Sequence, residues 1–240
     1  MVLVFDVSGD MAMFRKPYTT TSLVSFAFPP PTAVGGMLAA ITGIDHGASS
    51  GAQNARYWEA LSGTSIAIAM RAPLRWYTTA VNMIKFKSPS GDMGEHIQAK
   101  HQMVKNPSYR IYVRGGDLYD RLKYRLKRNE FIFTPYLGVA YALAEICYVG
   151  EFEETYLEEA KVPVSTIVPM YRGMELDVIS SRAVHRDLVP FMVDKNRRVQ
   201  KTVSVAYTDM IIGHELWLKK QGEVEVSQVG EERVAWFEQW

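Results

Sequence analysis

The segment PPPTAVGGMLAAITG, residues 29–43, restricts the fold more than any other stretch of this 240-residue chain. Three prolines hold the backbone extended, and an apolar run follows directly. Thr32 suits an N-cap and Gly43 a C-terminal stop, so the pattern predicts a buried helix between them. Such a helix needs layers of structure around it. The chain can supply them: 48% of residues are hydrophobic and 22% charged, which suits one large domain, or one domain with a smaller elaboration, and excludes wholesale disorder. No apolar stretch reaches the roughly 18 residues that span a bilayer. The first residues, MVLVFDVSGD, carry no basic leader and read as a strand, which gives a cytoplasmic location and no membrane partner as the expectation. Cys147 is the only cysteine, so no intramolecular disulfide can form, and its apolar neighbours predict a buried small side chain.

Strand patterns recur along the rest of the chain. Val2–Val7, TSIAIAMRA, VNMIKF, YRIYVRG, FIFTP and ALAEICYVGEFE read as strands, followed by VSTIVP, VSVAYT and HELWLK near the C-terminus. RYWEAL reads as a short helix. DLYDRLKYRLKR sets Leu118, Leu122 and Leu126 on one stripe of a helix whose other faces are basic. The segment from Lys87 to Pro107 is polar, with Pro and Gly, and reads as a long loop. The order strand, helix, strands, helix, strands fits an α+β fold, an antiparallel sheet covered by helices, with the split β-α-β-β-α-β ferredoxin-like motif as the natural candidate. Residues 1–160 would form that domain, with an insertion near 87–107. Residues 161–240 would form a mainly β region packed on it.

Net charge is only +1, but it is unevenly spread. Residues 71–128 hold 13 Lys or Arg against 4 Asp or Glu, and residues 129–169 hold 1 Lys against 7 Glu. One face can therefore meet phosphates and another a basic partner. No P-loop, dinucleotide fingerprint or cysteine-rich zinc motif is present, and His96 and His101 lack the helical spacing of a zinc hydrolase. No metal or cofactor is expected. FRKPYTTTS combines Arg15 and Lys16 for phosphates, Tyr18 for stacking on a base, and Thr19, Thr20 and Thr21 for hydrogen bonds to phosphate or a 2′-hydroxyl. KFKSP (Lys85, Lys87) and KNPSYR (Lys105, Asn106, Arg110) repeat the mixture, and Lys100 and His101 lie between them. Gly35 and Gly36, in the first turn of the predicted helix, admit either close approach of a ligand or packing against a strand. His101, Lys100 and Tyr18 are also the group types that metal-free RNA cleavage requires.

The run LVFDVSGDMAMFRKPYTTTSLVSFAFPPPTAVGGMLAAITG, with VKNPSYRIYV and FIFTPYLG further on, resembles the fifth Cas protein family of type I CRISPR systems, in its type I-B-like branch. The similarity covers residues 2–43 and 102–138. It implies a modified ferredoxin-like domain of the repeat-associated RNA-binding class and a place in the surveillance complex called Cascade. It implies as partners the 5′ handle of the CRISPR RNA, the repeated backbone subunit, the large subunit, and target DNA near the recognition end. The family's RNA-gripping thumb corresponds to the segment from Lys87 to Pro107. The resemblance implies a non-catalytic subunit that caps the handle. The type I-C branch instead cleaves precursor RNA with Tyr, Lys and His, its Lys and His adjacent, and Lys100-His101 keeps that alternative open. A structural adaptor with incidental RNA contact is the second alternative.

Overall fold

The computed structural model describes residues 1–19, 22–45, 55, 57–84, 96–209 and 215–240. Its centre is a sheet of four antiparallel strands. In chain order the elements are β1 (Val2–Ser8), α1 (Pro31–Thr42), β2 (Thr64–Met70), the hairpin strands β3 (Trp76–Ile84) and β4 (His96–Lys105), β5 (Ser108–Gly115), α2 (Tyr119–Arg128) and β6 (Glu145–Phe152). The sheet runs β6-β1-β5-β2, and the β3–β4 hairpin is inserted between its second and third strands in sequence. With the hairpin set aside, this is the β-α-β-β-α-β order that the sequence predicts.

Both helices lie on one face of the sheet. Leu3, Phe5, Ile66, Ile68, Ile111 and Val113 point into a core shared with Val34, Leu38 and Ile41 of α1 and Leu122 and Leu126 of α2. The stripe predicted for α2 is therefore the one it buries. The helix ends on Asn129 in the left-handed conformation, with Arg125, Lys127 and Arg128 in the last turn, where the dipole favours cations. α1 begins one residue earlier than the predicted cap. Pro30 is its N-cap and Pro31 its first residue, a position whose N–H has no helical partner and whose φ proline already satisfies. At its other end Gly43 has φ 77° and lies so close to Ile132 that a Cβ would fall 2.7 Å from that side chain.

The second face of the sheet is covered as well. Val2, Val4, Ala67, Ala69 and Tyr112 pack against Val229, Val234 and Trp236 of the C-terminal region. This double coverage buries all seven residues of β2 and explains why its sequence hardly alternates. The C-terminal region is mainly β. β7 (His185–Val193) pairs with β8 (Val199–Tyr207), and β9 (Val226–Val229) with β10 (Glu232–Ala235). Val189, Phe191, Val203, Val205, Phe237 and Trp240 belong to the same apolar cluster as α1. Among the described residues, no helix is long and apolar enough to cross a membrane.

Three local readings are corrected. Residues 96–105 are a strand and not part of a loop: Ala99, His101 and Met103 alternate inward, and the polar His101 hides the pattern. FIFTP is not a strand, because the N–H groups of Ile132 and Phe133 are taken by Ile41 and Ala40 at the end of α1. Cys147 is exposed, since it lies on β6 between Ile146 and Tyr148, the residues that face the helices.

Candidate nucleic-acid interface

Two segments about eighty residues apart in sequence meet at the hairpin. β3 and β4 pair in register from Trp76↔Val104 to Ile84↔His96. On the other side of β4, Met11–Ala12 pairs with Val104 and Lys105, and Ser22–Leu23 runs parallel to Lys100 and His101. FRKPYTTTS connects these two pairings, so the topology brings it against the strand that carries Lys100, His101 and Lys105.

The loop has its own geometry. Phe14–Arg15 pairs with Ser25–Phe26, and the Lys16 N–H donates to Val24 O. Thr19 closes a turn: its N–H and Oγ1 both donate to Lys16 O, and Arg15 Nη2 donates to Thr19 O at 3.2 Å. Tyr18 stands at the apex of that turn, 64% exposed. Arg15 is exposed. Lys16 is engaged instead, in an ion pair with Asp187 of β7 and 5.0 Å from the Phe26 ring centre. Beside Asp187, His185 stacks on Tyr207 at 5.4 Å. Burial and the charges of Asp187 and Asp209 push the Tyr207 phenol up to about 12, and Tyr18 is near enough to contribute.

Lys100, Lys105 and Asn106 are exposed, and Asn106 turns the chain from β4 into β5 at φ 47°. His101 is 5% exposed. Its Nδ1 lies 3.3 Å from the Tyr141 hydroxyl, while its Nε2 is buried and has no hydrogen-bond partner among the described residues. Burial, and then the charge of Arg15, hold its pKa below the ordinary value, which keeps the imidazole neutral at neutral pH. Successive side chains of a strand point to opposite faces, so adjacency in sequence does not set the Lys100 ammonium beside the His101 imidazole.

The structure separates other predicted residues from this group. Arg110 lies on the second face of the sheet. Its Nε and Nη2 bind the two oxygens of Asp6 at 2.7 and 2.8 Å, and its Nη1 binds Glu232 at 2.9 Å. It therefore ties β5 to β1 and β10 and is placed as a structural ion pair, not as a free phosphate contact. The two glycines of α1 divide the alternatives between them. A Cβ on Gly35 would meet Leu61 at 3.0 Å and Trp58 at 3.1 Å, so packing explains it, whereas Gly36 faces open space. Thr20, Thr21, Lys85 and Lys87 lie outside the described residues.

Tyr141, an aromatic group that the sequence did not single out, joins this group through its hydroxyl beside His101. Phe133, Tyr136 and Tyr141 are each about half exposed on the irregular run between α2 and β6. Its attachment to the N-terminal segment, through Met13 N–H to Leu137 O, has no signal in composition or spacing. Among the described residues, no group of three or more His, Cys, Asp or Glu is placed to hold a metal ion.

A split β-α-β-β-α-β sheet with helices on one face, an inserted hairpin and a covering β region defines an α+β protein of the repeat-associated, ferredoxin-like type. The chain belongs to the family described as CRISPR-associated protein (Cas_Cas5), whose model matches residues 2–171. Its fold is also similar to that of a CRISPR protein from Archaeoglobus fulgidus, with 16% identity, 98% of both chains covered and a TM-score of 0.57. A chain of a CRISPR RNA-guided surveillance complex shares 13% identity over 90% of both chains, TM-score 0.51. A chain of a type III-B Cmr-beta assembly bound to cognate target RNA and AMPPnP shares 10% identity over 90% of this chain and 86% of that one, TM-score 0.51. At these identities the three show a shared fold. No curated protein matches the chain.

Proposed function

We propose that this chain is a non-catalytic RNA-binding subunit that caps the 5′ handle of the guide RNA in a type I CRISPR complex of the I-B-like branch. The observation that carries the reading is the junction at β4, where the N-terminal loop with exposed Arg15 and Tyr18 links two segments paired to the strand of exposed Lys100 and Lys105, with exposed Asn106 at its end. Cations for phosphates beside an exposed aromatic ring are the chemistry of single-strand binding. In the same reading Thr19, Thr20, Thr21, Gly36, Lys85 and Lys87 are further RNA contacts. Residues 1–160 carry the RNA in this reading, and residues 161–240 brace the sheet from behind. The repeated backbone subunit and the large subunit are the protein partners, target DNA lies near the recognition end, and the setting is cytoplasmic.

Purified chain should retain RNA with a single-stranded 5′ handle in preference to handle-free RNA or duplex DNA, and its affinity should fall with salt as counterions are released. Arg15→Ala and Tyr18→Ala should weaken retention more than Lys100→Ala, because they remove a phosphate contact and a stacking contact at the loop. Equal binding of handle-bearing and handle-free RNA across a salt titration would refute specific capping.

One observation favours a second reading, metal-free cleavage of precursor RNA. His101 is neutral, has an Nε2 unpartnered among the described residues and faces the Tyr141 hydroxyl. End-labelled repeat RNA incubated for hours in chelator with excess protein separates the readings on a denaturing gel. An uncut band with binding retained supports capping. A discrete cut that His101→Ala abolishes installs the nuclease.

A further inference from the structure

The sheet treats its two edges differently. Along β2 the chain seals its own edge: Ile167 N–H donates to Ile68 O at 2.8 Å, Phe237 N–H to Ile66 O at 3.0 Å, and Trp240 N–H to Thr64 O at 3.1 Å. Along β6, β1 supplies hydrogen bonds on one side, and among the described residues no backbone group bonds to Glu145–Phe152 from the other. An open edge is a row of unpaired N–H and C=O groups, a template for another strand unless bulges, charge or covering segments blunt it. Here the register shifts between Val4, opposite Gly150, and Phe5, opposite Tyr148, so Val149 is the extra residue of a bulge and Glu145–Tyr148 is the straight portion.

We propose that this straight edge is a docking site for an extended basic segment of a partner protein, which adds a strand to the sheet beside β6. Backbone pairing gives such a contact its affinity, and alternate side chains give it specificity. On the helix side of β6 the charge is already satisfied, since Glu151 is held by Lys123 and Tyr119. On the opposite side Glu145 has no ion pair among the described residues, and the clefts at the two ends of the strand contain Asp10 and Glu231, both exposed and likewise without one among them. Leu143 and Val149 are exposed beside them. The fitting segment is about four residues long, within the common range of strand lengths, with Lys or Arg opposite Glu145 and an apolar residue at the end that reaches the bulge at Val149. Carboxylates along this side favour a basic peptide and oppose nucleic acid, and the cleft at the Glu145 end is where this edge meets Asn106 and Tyr141 of the surface at β4. A second copy of this chain would bring the same carboxylates and fits less well. The proposal does not depend on the RNA-binding reading.

A peptide of about seven residues alternating Lys and Val, within the common range of strand lengths, serves as the probe on the whole purified chain. Outward-facing backbone amides of residues 145–148 should become protected from hydrogen exchange when it is added. A peptide alternating Glu and Val should give no protection. Glu145→Lys, an exposed change that leaves the fold intact, should weaken the Lys/Val peptide by about tenfold, within the range for a close charge pair. Three results would overturn the proposal: no protection at 145–148, equal protection by the Glu/Val peptide, or protection of the same amides by handle RNA. So would protection that rises with protein concentration without peptide alongside a dimer in sedimentation, since a second copy would then be the occupant.

Discussion

His101 shows how one side chain can both define and conceal a strand. It is buried on β4, yet its Nε2 has no partner among the described residues, and the cost of desolvating a cation there holds its pKa below 6.5. The sign of the consequence is fixed. The unfolded chain takes up the proton first as pH falls through 6.5, so the stability contributed by the neutral ring is present above that value and is lost as pH drops toward the folded pKa. Thermal midpoints measured from neutrality into mild acid should therefore fall less steeply in His101→Leu than in the parent, and identical slopes would contradict this account of the ring. The glycines of α1 give a second test at this scale. Gly36→Ala places a methyl in open space and improves helix propensity, so it should raise stability by up to about 1 kcal/mol. Gly35→Ala crowds Trp58 and Leu61 and should cancel that gain or reverse it. Denaturant midpoints order the two variants, and the reverse order would sink the packing argument.

The hairpin is the element whose reading changed most. Its distal part lies outside the described residues, but Ile84 and His96 pair directly, so a two-residue Asn-Gly turn can join them. Replacing residues 85–95 by Asn-Gly should leave the melting temperature within a few degrees, because the buried residues of β4 remain. It also removes Lys85 and Lys87, so the dependence of RNA affinity on salt should become shallower by up to about two phosphate contacts. An unchanged salt slope would remove these lysines from the interface. The central motif was legible because its elements are local: α2 shows its leucine stripe, and β1 and β5 show short apolar runs. The second strand of the hairpin was not, because a buried histidine breaks the alternation. FIFTP was not, because its hydrogen-bond acceptors lie at the end of a helix some ninety residues earlier. The basic–aromatic composition of FRKPYTTTS was readable, but its neighbour β4 was not, since a parallel pairing of residues 22–23 with 100–101 leaves no local trace.

At the scale of the molecule, the C-terminal region closes the face of the sheet that a bare ferredoxin-like domain would leave open, and a charged network fastens it there. Arg110 bridges Asp6 and Glu232, and Glu232 also takes a 2.9 Å bond from Arg71 and a short one from the Tyr112 hydroxyl. The sequence reading grouped Arg110 with the RNA contacts because a cation on a strand near other cations looks the same whether its partner is a phosphate or a carboxylate far along the chain. The two roles predict opposite results. A phosphate contact, once lost, lowers RNA affinity and leaves stability nearly unchanged. A tie, once lost, leaves part-buried Asp6 without a cation among the described residues and Glu232 with Arg71 alone, which costs about 2 kcal/mol after allowing for their partial exposure to water. Arg110→Ala should therefore unfold at lower denaturant than the parent while binding handle RNA with the same affinity and the same salt slope. Retained stability with weakened binding would return Arg110 to the RNA surface and open the second face of the sheet as part of it.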